Sequence, residues 1–185
     1  MGSIPTGFLL IKIYGNVDIR HVGSHSTGAT NVLRSGHKIL ALLTLLGDAL
    51  KGLMFTVFAS VMSDDPYLLM AVFCCLLGHV YPVWLGFKGG KGVATSAGIF
   101  VVLSPLFALI SVAIWAFFAK FVKISSIASI AMVLSFSMMC TYGFVVNNTE
   151  FSTFLFSIAV LIFLIFTHKK NIGRIIHKNE TAVEI

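Results

Sequence analysis

The sequence predicts an all-α integral membrane protein, a bundle of seven helices in a single domain spanning 1–185. Three observations point there. First, 57% of the residues are hydrophobic and 11% are charged, where a soluble domain carries about a quarter charged residues. Mean hydropathy is +0.96, and 17 Phe cannot all hide in one water-soluble core of this size. Second, long apolar runs cover 39–62, 67–87, 93–118, 124–146 and 151–167, most of them reaching the roughly 20 residues a spanning helix needs. Third, Lys and Arg gather in some connections and are missing from others, the asymmetry that orients membrane proteins. A soluble globular protein, a disordered tail and a nucleic-acid-binding domain are excluded; the surrounding partner is a lipid bilayer.

Taken in order, residues 2–14 supply about 20 Å of helix at 1.5 Å per residue, short of a bilayer core of about 30 Å. Either the first helix is partial or the chain begins downstream of an ancestral start. The stretch 12–38 carries Lys12, Arg20, Arg34 and Lys38 against Asp18, the turn near Lys88 and Lys91 is basic, and so is the tail from His168. The links at 63–66 and 147–150 hold Asp64, Asp65 and Glu150 with no Lys or Arg. The basic set is therefore placed in the cytoplasm. That assignment works only if 93–118 crosses twice, since a single pass would strand Lys120 and Lys123 outside. Ser104-Pro105 supplies the break, an N-cap residue followed by Pro at N1, and Asp65-Pro66 opens its span by the same chemistry. Two passes in so few residues require short, tilted or re-entrant helices packed against protein.

The net charge of +6 has two readings, a phosphate partner or cytoplasmic loops, and composition does not separate them. Cys74, Cys75 and Cys140 lie in apolar runs and read as packing residues.

Polar residues in a membrane protein are expensive and mark function by default. The first cluster, 17–38, concentrates Gly23, Ser24, Ser26, Thr27, Gly28, Thr30 and Asn31, with Arg34 one helical turn beyond Asn31. Glycines let successive N–H groups converge on an anion, and an arginine clamps it bidentately; an ordinary capped polar loop is the competing reading. In the second, F-K-G-G-K-G-V-A-T at 87–95, Lys88 and Lys91 stand among Gly89, Gly90 and Gly92 before an apolar helix. That suits phosphate at a helix N-terminus, or simply a flexible basic turn. It is no Walker A motif: Gly86 and Gly90-Lys91 enclose three residues instead of four, and Gly92 stands where Ser or Thr is required. A third set is split between Ser126 and Ser129, which share a helix face, and His168, Asn171 and Arg174 at the end of the last span. Serines in a span more often bond their own backbone, and the basic trio also suits a membrane-surface anchor.

Within the spans, Asp48 and Lys51 are i,i+3 and can neutralise each other as a structural or a functional pair. His79, ahead of Pro82, is either a packing histidine or a support that orients the glycine-lysine turn from behind. No H-x₄-D motif occurs at His37 or His79, where Leu42 and Trp84 stand at the Asp position, and no G-x-S-x-G elbow or acidic metal cluster is present in the sequence. The clusters are rich in anion-binding groups and poor in bases and nucleophiles.

Together, G-S-I-P-T-G (2–7), D-I-R-x-x-G-S-x-x-x-G-A-T-N-x-x-R (18–34), D-A-L-K-G (48–52), G-H-V-Y-P (78–82), F-K-G-G-K-G-V-A-T (87–95), S-I-A-S-I (126–130) and H-K-K-N-I-G-R (168–174) closely resemble the bacterial acyl-phosphate:glycerol-3-phosphate acyltransferases, the PlsY family. The resemblance runs in order over almost the whole chain. It implies a seven-helix inner-membrane enzyme with its active site and C-terminus facing the cytoplasm. Such an enzyme transfers a fatty acyl group from acyl phosphate to the 1-hydroxyl of sn-glycerol 3-phosphate, giving lysophosphatidic acid and phosphate without cofactor or metal. It also implies roles: Arg34, Lys91, Ser24 and His168 catalytic; Gly23, Ser26, Gly28, Thr30, Asn31, Lys88, Gly89, Gly90, Ser126, Ser129 and Asn171 substrate-binding. Acyl phosphate is a mixed anhydride, already activated, so catalysis reduces to positioning and charge stabilisation. A substrate phosphate with a second pKa near 6 would take the hydroxyl proton. The chain departs from the family's usual G-S-G-N at His25 and Ser26, which adds bulk and removes an amide donor, and it lacks the further apolar residues that usually precede G-S-I-P. A transporter or channel for a phosphorylated anion is the rival reading, with its site expected near the bilayer midplane; a structural membrane protein is the third.

Overall fold

The structure, a computed structural model, describes residues 1–14, 17–62 and 67–182. Among these, nine α-helices form: α1 (Thr6–Tyr14), α2 (Ala29–Arg34), α3 (Lys38–Met62), α4 (Tyr67–Val80), α5 (Val93–Leu103), α6 (Pro105–Phe121), α7 (Ser125–Val145), α8 (Phe151–Thr167) and α9 (Lys169–Ile176). Short 3₁₀ turns at Ile19–His21 and Val83–Leu85 complete the regular structure. The acidic 63–66 link, with Asp64, Asp65 and the Asp65-Pro66 start, lies outside the described residues. α1 and α3 to α8 fall on the seven expected segments; α2 and α9 are additional and flank the basic loops. By length and hydropathy three segments among the described residues can cross a membrane, Lys38–Met62, Tyr67–Leu85 and Ser125–Val145, and α8 with α9 makes a fourth only across a 60° bend.

The 93–118 run breaks where local chemistry requires it. Ser104 is extended (φ −156°, ψ 91°), closing α5 and opening α6 with Pro105 in the first turn. Pro lacks the N–H that a first turn leaves unpaired, so it starts a helix without penalty. Ser104 holds the N-cap position but its hydroxyl makes no capping bond, so the proline and the backbone define the break.

In lipid, apolar surface is not being driven out of water, and close packing has to hold the helices together. α3 and α5 meet at glycines: a Cβ on Gly52 would stand 2.2 Å from the Thr95 carbonyl oxygen, and one on Gly98 1.9 Å from that of Ala49. Phe100 of α5 stacks on Phe136 of α7 with centroids 3.7 Å apart. Around them Leu76, Ile99, Met132, Val133 and Val160 form a core drawn from four helices, α4, α5, α7 and α8. Intramembrane hydroxyls bond carbonyls one turn back, as in Thr44 to Leu40 and Thr56 to Gly52, while Ser137 bonds the Ser157 carbonyl and ties α7 to α8 at 2.9 Å. Cys75 and Cys140 are buried and Cys74 is exposed.

The basic connections all meet at one end of the bundle. The Thr27 N–H reaches the Gly89 carbonyl at 3.4 Å, the Thr30 and Ser125 hydroxyls lie 2.9 Å apart, and the Thr167 hydroxyl donates to the Lys91 carbonyl at 3.1 Å. Four segments distant in sequence are thereby pinned around one space.

Candidate active site

That space is a cavity of about 380 Å³ with two unlike ends. Its polar end is lined by Ser24, Ser26, Gly28, Thr30, Asn31, Arg34, Lys91, Ser126, Ser129, His168 and Asn171. Its other end is an apolar trough between α3, α5 and α6, with Leu46, Leu50, Leu53, Val101, Val112 and Trp115 among its walls.

The first loop owes its shape to one buried side chain. Asn31 Oδ1 accepts the Ser24 N–H at 2.9 Å, and Nδ2 donates to the carbonyls of Ile19, Val22 and Ser26 at 2.8–3.0 Å. Both ends of the amide are therefore engaged with the loop, and Asn31 shapes the cradle from beneath. Gly23 turns left-handed (φ 52°) directly over it, where a Cβ would meet Asn31 Oδ1 at 2.6 Å. His25 also has a left-handed φ of 59°, the region that favours glycine, and its ring nitrogen lies 2.8 Å from the Arg20 carbonyl. A glycine would take this backbone without strain.

Lys91 follows the turn that opens α5, and its Nζ donates to Asn171 Oδ1 at 2.6 Å. Burial pushes its pKa down to about 8, against the opposing pull of the nearby Glu180 charge; Arg174 and Arg34 lower it further. The lysine is thus a cation that gains from an incoming anion. Arg34 donates from Nη2 to the Thr181 carbonyl at 3.1 Å, while its buried Nε has no partner among the described residues. Ser126 Oγ is likewise buried and unpartnered. Ser129 spends its hydroxyl on the Ser125 carbonyl at 2.7 Å, the backbone bond expected of a span serine. His168 Nδ1 lies 2.8 Å from the Leu164 carbonyl; a carbonyl only accepts, so the proton sits on Nδ1 and Nε2 is the acceptor.

Four expected binding residues lie outside the lining. Lys88 is exposed at the surface, because the turn between α4 and α5 directs Lys91 inward and leaves Lys88 outward. Gly23, Gly89 and Gly90 sit behind the wall and act through the backbone: the Gly89 and Gly90 N–H groups donate to the Val80 and His79 carbonyls at 3.0 and 3.2 Å.

The structure adds residues that sequence reasoning left out. Glu180 enters the polar end with a side chain only 3% exposed. It accepts from Asn171 Nδ2 at 2.8 Å and from Arg174 Nε, and lies 3.7 Å from Arg34. Burial alone would raise its carboxyl, but the Arg174 and Asn171 hydrogen bonds and the arginine charges hold it below the usual carboxylate range. Ser125 also lines the cavity, as do Asp48 and His79, for which the sequence left a packing and a functional role open. The only sequence signal for Glu180 was an acid following the His168, Asn171, Arg174 ladder.

The family model described as "Glycerol-3-phosphate acyltransferase" matches residues 1–178. A glycerol-3-phosphate acyltransferase of Hyphomonas neptunium is 40% identical over 97% of this chain and 86% of its own length. One of Pelagibacter ubique is also 40% identical, over all of this chain and 93% of its own length. Among solved structures, the glycerol 3-phosphate form of PlsY (YgiH), an integral membrane glycerol 3-phosphate acyltransferase, superposes with a TM-score of 0.90 at 34% identity, covering 99% of this chain and 90% of the other. The lysophosphatidic acid form gives 0.85 at 34% identity, covering 98% and 89%.

Proposed function

The chain belongs to the glycerol-3-phosphate acyltransferase family, and we propose that its two-ended cavity joins a fatty acyl group, delivered as acyl phosphate, to the 1-hydroxyl of sn-glycerol 3-phosphate. The observation that carries this reading is the union of two environments in one space. Unpartnered Arg34 Nε and Ser126 Oγ beside the Lys91 ammonium suit a phosphate, and the trough between α3, α5 and α6 suits a single acyl chain. Neither half alone needs the other; a reaction joining a phosphate-bearing polyol to a fatty chain needs both.

In this reading Lys91 and Arg34 hold phosphate, Ser24, Thr30 and Ser126 orient it, and His168 and Asn171 close the floor. The trough lays the acyl carbonyl against the glycerol hydroxyl. A C–O ester bond forms at the carbonyl carbon, the C–O bond to phosphate breaks, and the hydroxyl proton passes to a phosphate oxygen. The protein supplies proximity and positive charge, with no base of its own required. Ser129 and Ser125 act as packing partners that hold the neighbouring hydroxyls in place. The enzyme sits in the bacterial inner membrane with the basic end, and so the site, toward the cytoplasm. None of the relatives named above is a transporter.

The test is turnover by purified protein in detergent with acyl phosphate and glycerol 3-phosphate. Lysophosphatidic acid and free phosphate should appear in equal amounts, and acyl-CoA in place of acyl phosphate should give none. Equal product from acyl-CoA would overturn the donor assignment.

A further inference from the structure

One buried polar cluster stands behind the glycine-lysine turn. Lys51 Nζ donates to Asp48 Oδ1 at 2.7 Å and to the Ile4 carbonyl at 3.1 Å, and His79 Nδ1 lies 3.6 Å from the same Asp48 oxygen. Exposure of the three residues is 2% for Asp48, 7% for Lys51 and 6% for His79. With the carboxylate matched by the ammonium, the pair places no net negative charge behind an anion site. The other face of the imidazole meets Gly90. A Cβ on Gly90 would stand 2.1 Å from His79 Nε2 and 2.6 Å from Cε1, and one on Gly89 2.2 Å from the His79 carbonyl oxygen.

Two opposed contacts therefore fix this peptide. The Gly90 N–H is drawn to the His79 carbonyl at 3.2 Å, while the His79 ring beneath limits how far the backbone can settle. The following residue is Lys91, whose carbonyl is held from the far side by Thr167. We propose that His79, anchored by the Asp48–Lys51 pair, is a positioning residue: its ring is the seat of the Gly89–Gly90 turn and sets where the Lys91 ammonium meets the substrate phosphate. The ring acts on the substrate phosphate through the turn and Lys91, so its removal should show in substrate affinity before it shows in the chemical step.

The inference rests on the acyl-transfer reading, so wild-type protein is assayed first with acyl phosphate and glycerol 3-phosphate. Absence of turnover there would remove that reading itself. With turnover in hand, a double-mutant cycle isolates the contact. Gly90→Ala forces a methyl group into the imidazole and should raise KM for glycerol 3-phosphate about tenfold or more. His79→Ala should raise KM by a similar factor, about tenfold, with kcat at saturating substrate within about threefold of wild type. In the His79→Ala background the added Gly90→Ala should cost less than about threefold, since the space it needs is now empty. His79→Gln, which keeps polar bulk in the seat, should lie between wild type and His79→Ala; paired with Gly90→Ala it serves as the cycle if the alanine variant does not fold. Equal cost of Gly90→Ala in both backgrounds, an unchanged KM in His79→Ala, or a parallel fall of kcat and thermal stability without a KM effect would overturn the proposal.

Discussion

The Lys91 ammonium donates to the Asn171 amide oxygen at 2.6 Å, joining the turn before α5 to the first turn of α9 across 80 residues of chain. The same Asn171 donates its amide nitrogen to Glu180 at 2.8 Å. One side chain thus orders a cation and an anion along a line that also includes Arg34 and Arg174. Phosphate arriving here meets donors already aimed, which is what preorganised electrostatic stabilisation requires.

Removing either central cation should remove turnover. Lys91→Ala and Arg34→Ala should each lower kcat/KM by about 100-fold or more, the loss of a charge-assisted contact to the substrate phosphate. Near-normal turnover of either variant in membranes would mean the phosphate binds elsewhere.

The alkaline side of the pH profile should belong to Lys91. Its pKa is about 8 in the unliganded site, below the ordinary 10.5, so the ammonium needed for phosphate is present below pH 8 and lost above it. Log(kcat/KM) for glycerol 3-phosphate should be level between the second phosphate pKa of the substrate, near 6, and pH 8, and fall by about one unit per pH unit above pH 8. Lys91→Arg, permanently charged but different in shape, should be slower overall and keep no fall near pH 8. An identical alkaline limb in both proteins would assign it to another group.

Asn31 should behave as a structural residue. Asn31→Ala abolishes the bonds to Ser24, Ile19, Val22 and Ser26 and should lower stability by about 2–4 kcal/mol, read as a drop in melting temperature. Asn31→Asp should fail similarly, because a carboxylate cannot donate to three carbonyls. A stable Asn31→Ala with only a raised KM would make it a direct ligand instead.

Glu180 should confer acid sensitivity. Its folded-state pKa lies below the ordinary 4.5, so the stability it contributes is complete above that value and is lost as pH falls through the folded pKa. Glu180→Gln should therefore melt lower than wild type at pH 7, by the equivalent of about 1.5–3 kcal/mol for bonds to a charged group. The gap should narrow as pH drops below 4.5. A constant gap across that range would show that the charge contributes nothing.

What the sequence makes legible is local. The break at Ser104-Pro105 follows from proline's missing N–H, whereas the glycine turn offers Lys88 and Lys91 alike and only the fold turns Lys91 inward. The Asp48–Lys51 pair follows from i,i+3 spacing on one helix. The rest depends on which distant segments meet. Asn31 reads as a ligand because its amide suits phosphate, and only the path of residues 19–26 shows both ends engaged with the loop. Ser126 and Ser129 are indistinguishable by spacing, yet one hydroxyl is satisfied by its own helix and the other is left free for the cavity. Glu180 bonds the nearby Asn171 and Arg174, but its approach to Arg34, most of the chain away, has no local pattern to carry it.

The most direct measurement is calorimetric titration of sn-glycerol 3-phosphate into the purified protein without acyl donor at pH 7. Saturable one-site binding by wild type, lost or weakened at least about tenfold in both Arg34→Ala and Lys91→Ala, is the expected result. Equal affinity in all three proteins would contradict the placement of the substrate phosphate between Arg34 and Lys91.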